Sequence, residues 1–225
     1  MIDAMIKQLK KSPKRPDVFN PWYDFDSDNE ISNRGAGIRR RQLHAYLTER
    51  VGKAKYLLLA EALGYQGGHF TGMAMTSERI LLGHQKDKGI HPEHVFSSIE
   101  PKRTSDPKVK PNGFIEPTAT IVWGAILATG LDPKSFVLWN AYPWHPYKLD
   151  KGYQSNRTPD YQELMSGKKV LEMLNDVMCF EKKLAVGNKA HQLLGKMGIE
   201  TQKARHPAMG GATEFRAQFQ SFIAT

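Results

Sequence analysis

The sequence predicts an α/β fold: a three-layer α/β/α sandwich around a central, mainly parallel sheet of about four strands. Three observations predict it. From residue 55 onward, short apolar runs alternate with helix-patterned segments, the order that βαβ crossovers impose. The runs are continuously apolar rather than alternating, as in strands covered on both faces. Each also leads into a polar loop, and open parallel sheets bind their ligands at the carboxyl ends of their strands.

The elements follow in order. Residues 1–41 read as a basic N-terminal arm or extension, and residues 42–225 as the α/β/α domain proper. The arm carries Lys7, Lys10, Lys11, Lys14 and Arg15, then the Pro-broken acidic and aromatic stretch PDVFNPWYDFDSDNE, then Arg39–Arg41. Those charges suit either a solvated face or contact with phosphates. Leu43, Tyr46, Leu47 and Val51 recur at helical spacing. KYLLLA (55–60) is a strand that runs into the glycine-rich loop LGYQGGHFTG, and a helix opens at Thr76 or Ser77 with Glu78 in its first turn. PTATIVWGAILATG (117–130) is a buried helix with Pro117 early and Gly130 as its stop. SFVLWN (135–140) is a second strand, followed by a loop rich in aromatic residues: Trp139, Tyr142, Trp144 and Tyr147 line either the core or a pocket. A helix from Pro159 to about Asn175, the strand KKLAVG, the helix NKAHQLLGKM, the strand IETQKA and a helix from about Ala212 complete the chain.

Composition sets limits on function. The 225 residues suffice for one generous domain, and Lys+Arg 32 against Asp+Glu 23 leaves a charge of +9 that favours a polyanionic partner. Cys179 is the only cysteine, which rules out a disulfide framework, a cysteine zinc site and a four-cysteine iron–sulfur cluster within one chain. No apolar run approaches the roughly 18 residues of a membrane span, so a soluble, cytoplasmic monomer is expected. Phosphate-loop, dinucleotide, nucleophile-elbow and HExxH signatures are all missing. His145 and His206 have no metal-ligating partner at helical spacing, so neither a metal nor an organic cofactor is expected.

Three loops at strand ends hold the candidate chemistry: those of Glu61, Asn140 and His206. A carboxylate at Glu61, directly after an apolar strand, is costly unless solvated or employed. Asn140 offers one acceptor and two donors, enough to read an amide-like ring edge. His206 precedes Pro207, which favours an extended backbone there.

These loops resemble the motifs of the uracil-DNA glycosylase superfamily. LLLAEALGYQGGHFTG is similar to its first motif, most closely to the G-E-A-P-G form of the thermostable branch. FVLWNAYPWHPY resembles the asparagine-bearing strand end, SNRTP a segment that follows it, and RHPAMGG the final H-P-S motif. The match runs in order over residues 55–225. Ala60, Leu63 and Ala208 replace a motif glycine, proline and serine, and the branch's four cluster cysteines are missing, which describes a divergent member.

The resemblance implies a monofunctional DNA glycosylase that flips uracil or a modified pyrimidine out of DNA and hydrolyses its N-glycosidic bond. It assigns catalysis to Glu61 and His206. Base contact falls to Asn140, Phe70 as a stacking platform, Ala62 and Gly64, and DNA contact to Arg205, Met209 as a wedge, and Tyr65. Gly64 stands where a uracil-specific branch carries a tyrosine that blocks substituents at C5, so a larger pyrimidine is expected to fit. Two alternatives accompany this reading: the same chemistry on bulky bases of phage DNA, in antiviral defence, and an inactive DNA-binding module.

Overall fold

Leu57, Leu58 and Leu59 are fully buried because β2 (Tyr56–Ala62) lies between two neighbouring strands and beneath packed helices. The computed structural model, which describes residues 1–11 and 14–224, orders its sheet β3–β2–β5–β6, with β3 (Phe136–Tyr142), β5 (Lys182–Val186) and β6 (Gln202–Ala204). Every pairing in that sheet is parallel, and helices flank it, giving the expected three-layer sandwich. The register pairs Leu59 with Trp139 and Ala60 with Asn140. The β2–β3 ladder continues to Ala62 opposite Tyr142, so both strands extend two residues past their apolar cores into the candidate loops.

The helices form where the sequence places them. α6 (Pro117–Leu127) starts on its proline and buries Val122, Trp123 and Ile126. α7 (Tyr161–Val177) opens on a capping box in which Asp160 accepts from the Glu163 backbone N–H and Glu163 accepts from that of Asp160. α8 (Asn188–Lys196) follows β5 directly, and α9 (Ala212–Ala224) buries Phe215, Phe219 and Phe222. The helix expected after Ser77 is a single turn, Glu78–Leu81. It ends at Gly83, whose φ of 77° is left-handed and lets the His84 N–H donate back to the Arg79 carbonyl, while the Glu78 carboxylate accepts the backbone N–H groups of Thr104 and Ser105.

The first 41 residues are not an arm. α1 (Ile2–Lys11) turns Met5, Ile6 and Leu9 into the main core, and α2 (Gly35–Thr48) spans the expected boundary. β1 (Val18–Phe19) pairs antiparallel with β4 (His145–Pro146), tying the N-terminal segment to the loop beyond β3. An amphipathic α1, apolar on one side and lysine-bearing on the other, reads as basic when only its charges are counted. Nor is Arg39 free for a phosphate. Its side chain is fully buried and pairs with Glu30 at 2.7 Å, while Nε donates to the Pro21 carbonyl. Arg50 is buried too, donating to the carbonyls of Tyr46, Val95 and Phe136. The exposed charge of this end includes Arg34 and Arg41 and a groove of about 850 Å³ lined by Lys7, Lys10, Lys11, Lys14 and Arg15.

Trp139, Tyr142, Trp144 and Tyr147 are core aromatics, all buried. Trp144 Nε1 donates to the Leu9 carbonyl at 3.0 Å, which fixes α1 against the loop beyond β3. Among the described residues no helix is long and apolar enough to cross a membrane. If α1 belongs to the core, Leu9→Ala should destabilise the protein by about 2–5 kcal/mol. Urea denaturation with an unchanged slope and a lowered midpoint is the expected result.

Candidate active site

The carboxyl ends of β2, β3, β5 and β6 open onto one cleft of about 790 Å³. Its lining includes Glu61, Ala62, Gly64, Tyr65, Asn140, Arg205 and His206, so the loops singled out in the sequence do converge. Parallel pairing forces this: strands running the same way end on the same side.

Asn140 sits at the inner end of the cleft, only 2% exposed. Its side-chain amide makes no hydrogen bond to any described residue, while its backbone segment pairs with β2, the one neighbour of β3 in the sheet. A buried amide without protein partners is costly unless water or a ligand satisfies it. Glu61, three-quarters buried at its side chain, has Lys189 Nζ at 4.0 Å. Lys189 in turn donates to Thr158 Oγ1 at 3.0 Å, bridging the β5–α8 junction to the loop before α7.

His206 follows β6 and packs against Gly187, whose φ of 100° lies in the left-handed region. A Cβ at Gly187 would stand 3.0 Å from that of His206, so glycine there serves both backbone and ring. The Ala208 N–H donates to His206 Nδ1 at 3.2 Å. Burial pushes the ring below the usual histidine value, against the pull of Glu61. At neutral pH His206 is therefore neutral, with its proton on Nε2, and it can donate a hydrogen bond from that atom.

Two expected residues stand apart from the lining. Phe70 is buried and stacks on Phe114 with centroids 3.9 Å apart, and His69 tilts over it at 4.6 Å. The base platform expected of Phe70 is thus occupied by core packing, since another ring satisfies its face. Met209 is 98% exposed with φ 52°, at the tip of the loop that carries His206. His145 is equally removed from the cleft: it bonds His69 and the Ser155 carbonyl. Among the described residues no group of His, Cys, Asp or Glu is arranged to hold a metal ion.

The cleft also contains residues that the sequence did not single out. Glu116, the N-cap of α6, lines it and lies over Gly67, where any Cβ would collide with the carboxylate. Burial pushes the Glu116 carboxyl up to about 7. Asn156 accepts the Tyr65 N–H at 3.2 Å, and Arg157 forks onto Glu163 at 2.7 Å through both of its terminal nitrogens. Arg157 also reaches Asp17 at 2.8 Å, so its charge is matched by structure. The only sequence signals for these residues were the carboxylate before Pro117 and the SNRTP segment itself.

The comparisons agree with this fold. It is shared with a solved Pedobacter heparinus SMUG2. The match to the wild-type crystal structure of that protein has a TM-score of 0.59 and 15% sequence identity, over 99% of this chain and 97% of the other. The full coverage includes α1 and α2, in keeping with their place in the core. No protein-family model matches the sequence, and no curated protein does.

Glu116 gives a pH test. Its carboxyl stays protonated in the folded protein up to about 7 but ionises near its ordinary 4.5 in the unfolded chain. The folded state then binds more protons between those values, and stability falls as pH rises through that window. Glu116→Gln should flatten this decline in thermal melts from pH 4.5 to 7.

Proposed function

We propose that the protein is a DNA glycosylase that hydrolyses the N-glycosidic bond of a flipped pyrimidine nucleotide. The observation that carries this reading is the convergence of the Asn140 amide, the Glu61 carboxylate and the neutral His206 ring in one cleft. The shared fold supports it, as does the resemblance of the three loops.

The chemistry follows from those groups. Asn140 pairs with the amide-like edge of the base, which satisfies its own buried donors and acceptor. As the bond from C1′ to the ring nitrogen breaks, its electron pair leaves with the base, and Nε2–H of His206 donates to the base oxygen where that charge gathers. A neutral donor suits this step, because it stabilises the anion without having to part with a proton. The sugar becomes cationic, and the Glu61 carboxylate stabilises it and orients the attacking water. Water's oxygen bonds to C1′, its proton passes to Glu61, and an abasic site remains. Lys189 and Arg205 on the rim attract the phosphates on either side of the flipped nucleotide. Met209 fills the gap in the stack, and the lysine groove of α1 extends the basic surface.

The substrate class follows from Gly64. Its φ is not in the left-handed region, and a Cβ there would meet only the Asn156 amide, at ordinary contact distance of 3.9 Å. Glycine is thus not required by the turn, and its missing side chain leaves room in the cleft. None of Trp139, Tyr142, Trp144 and Tyr147 lines the cleft, and the one tyrosine that does, Tyr65, is the neighbour that a C5 group would have to pass. We take pyrimidines substituted at C5 as substrates beside uracil, which favours the reading of bulky modified bases.

Oligonucleotides with a single uracil or 5-hydroxymethyluracil, scored for alkali-labile breaks, test the assignment. Asn140→Ala, His206→Ala and Glu61→Gln should each slow single-turnover cleavage by about a hundredfold or more while DNA binding changes little. Near-normal cleavage by all of them would place the chemistry elsewhere. Gly64→Tyr should lose the C5-substituted substrate far more than uracil; equal losses on both would count against the open pocket.

A further inference from the structure

Behind the cleft wall runs a buried chain of polar groups that the proposed chemistry does not use. Asp26 Oδ2 lies 2.9 Å from His69 Nε2, His69 Nδ1 lies 3.0 Å from His145 Nδ1, and His145 Nε2 lies 2.8 Å from the Ser155 carbonyl. The side chains of Asp26 and His69 are 1% exposed and His145 is fully buried. The chain joins the segment before α2, the loop after β2 and the loop after β4.

Its ends are both acceptors, and that fixes the number of protons. The Ser155 carbonyl can only accept, so His145 Nε2 carries a proton. A neutral His145 then has a bare Nδ1, so His69 Nδ1 carries the next. A neutral His69 would present a bare Nε2 to the Asp26 carboxylate, lone pair against lone pair at 2.9 Å. Each of the other tautomer assignments moves the clash to another link without removing it. Two neutral imidazoles supply two protons, and the chain has three hydrogen bonds to fill.

We propose that Asp26 and His69 hold a third proton in the folded protein, and that the filled chain positions the Ser155–Thr158 wall of the cleft. Asn156, Arg157 and Thr158 of that segment line the cleft, and Asn156 receives the Tyr65 N–H across it. His69 and His145 are accordingly positioning residues, remote from the reacting atoms. The role of the wall in catalysis rests on the function proposed above; the proton itself does not.

Between the two partners, the surroundings favour the ring over the carboxylate as the holder of the third proton. Asp26 also accepts from Asn29 Nδ2 and from the Asp28 N–H, contacts that favour the ionised carboxylate. Phe19 stacks on His69 at 3.9 Å, and the face of an aromatic ring attracts a cation. Burial, aided by Arg39 from α2, outweighs the pull of Asp26 and pushes His69 down to about 4, and it pushes His145 down to about 3. The hydrogen bond that two neutral rings would leave unfilled is what sets the third proton against that balance. Arg39 is matched by Glu30 at 2.7 Å. Tyr153 and Tyr147 face the rings from the loop after β4, and burial pushes both hydroxyls up, so they stay neutral. Asp24 lies nearby, its carboxyl raised by burial.

The sign of the pH effect follows. Above the ordinary imidazole value of about 6.5 the unfolded chain has released this proton and the folded protein still holds it. Stability therefore falls as pH rises beyond that point, until the proton leaves. Glu30, raised to about 7 by burial and in part by Asp26, and Glu116, also at about 7, titrate at the foot of this window, so the slopes that decide the test are those above pH 7.5.

Asp26→Asn is the informative change. An amide N–H aimed at His69 Nε2 supplies the third hydrogen bond permanently, with neutral rings on both sides. Protein labelled with nitrogen-15 in histidine, free of DNA, should show His69 protonated on both ring nitrogens at pH 7.5 in the wild type and on one in Asp26→Asn. The Tyr65 amide resonance should shift between pH 7 and 9.5 in the wild type and stay fixed in the variant. The melting temperature of the wild type should fall more steeply than that of the variant between pH 7.5 and 9. A bare nitrogen on wild-type His69 at pH 7.5 would overturn the proposal without any need for the variant to fold, and parallel melting slopes would overturn it as well. Because no readout uses cleavage, failure here is distinct from failure of the glycosylase assignment.

Discussion

Everything at the cleft depends on the parallel ladder of β2 with its neighbours. With β2 inside the sheet, Ala60 is held opposite Asn140, and Glu61 projects from the next position along the strand. On its other side β5 ends at Val186, and Gly187 turns the chain so that the His206 ring packs against it. β6 is only three residues long, yet its pairing of Ala204 with Val186 sets where Arg205 and His206 begin. An antiparallel neighbour would have sent one of these groups to the opposite edge. A slip of one residue would have turned Asn140 from the cleft to the other face.

The rest of the molecule holds those ends through buried charges tied to backbone groups and to one another. Arg50 is saturated by backbone carbonyls, Arg39 by Glu30 and two loop carbonyls, and Glu78 by the Thr104 and Ser105 backbone. Each link ties a loop to a helix across long sequence separation, and removing one partner would strand the other. The network of Arg157, Glu163, Asp17 and Arg15 does the same beside the cleft, joining the N-terminal segment to the start of α7. Several basic residues that add to the net charge are thus internal struts. Exposed charge remains on α1 and at the rim of the cleft, and also at Arg34, Arg41, Lys108 and Lys110.

The sequence made legible what depends on local pattern. Continuous apolar runs revealed the buried strands, Pro117 and Pro159 marked helix starts, and the polar residues at the strand ends pointed to the cleft. What it hid depends on distant packing. The lysines of α1 mask Ile2, Met5, Ile6 and Leu9, which recur at helical spacing; what the local pattern leaves out is the surface that face packs on, Trp144 and the core. Glu116 comes from a loop far along the chain and reaches the cleft only because Gly67 has no side chain to displace it. Phe70 carried the opposite error: its place in a motif suggested a platform, while Phe114, 44 residues later in sequence, takes its face. His69 and His145 gave no sign of acting together, since 76 residues separate them.

Met209 shows how a feature that costs stability can bear on function. A methionine side chain left 98% exposed gains almost nothing from the hydrophobic effect, and a non-glycine residue at φ 52° is conformationally disfavoured. Gly210, at φ 76°, follows immediately, so a glycine one position earlier would have relieved the backbone at no loss of packing. Both penalties fall on one residue, and no contact within the folded chain offsets them. Strain of this kind persists where another state makes use of it. The loop that bears Met209 begins at His206, which lines the cleft, so an apolar group inserted into a base stack would bring that ring along with it. Insertion and leaving-group stabilisation would then be coupled through three residues of backbone, with the Ala208 N–H to His206 Nδ1 bond as the brace between them.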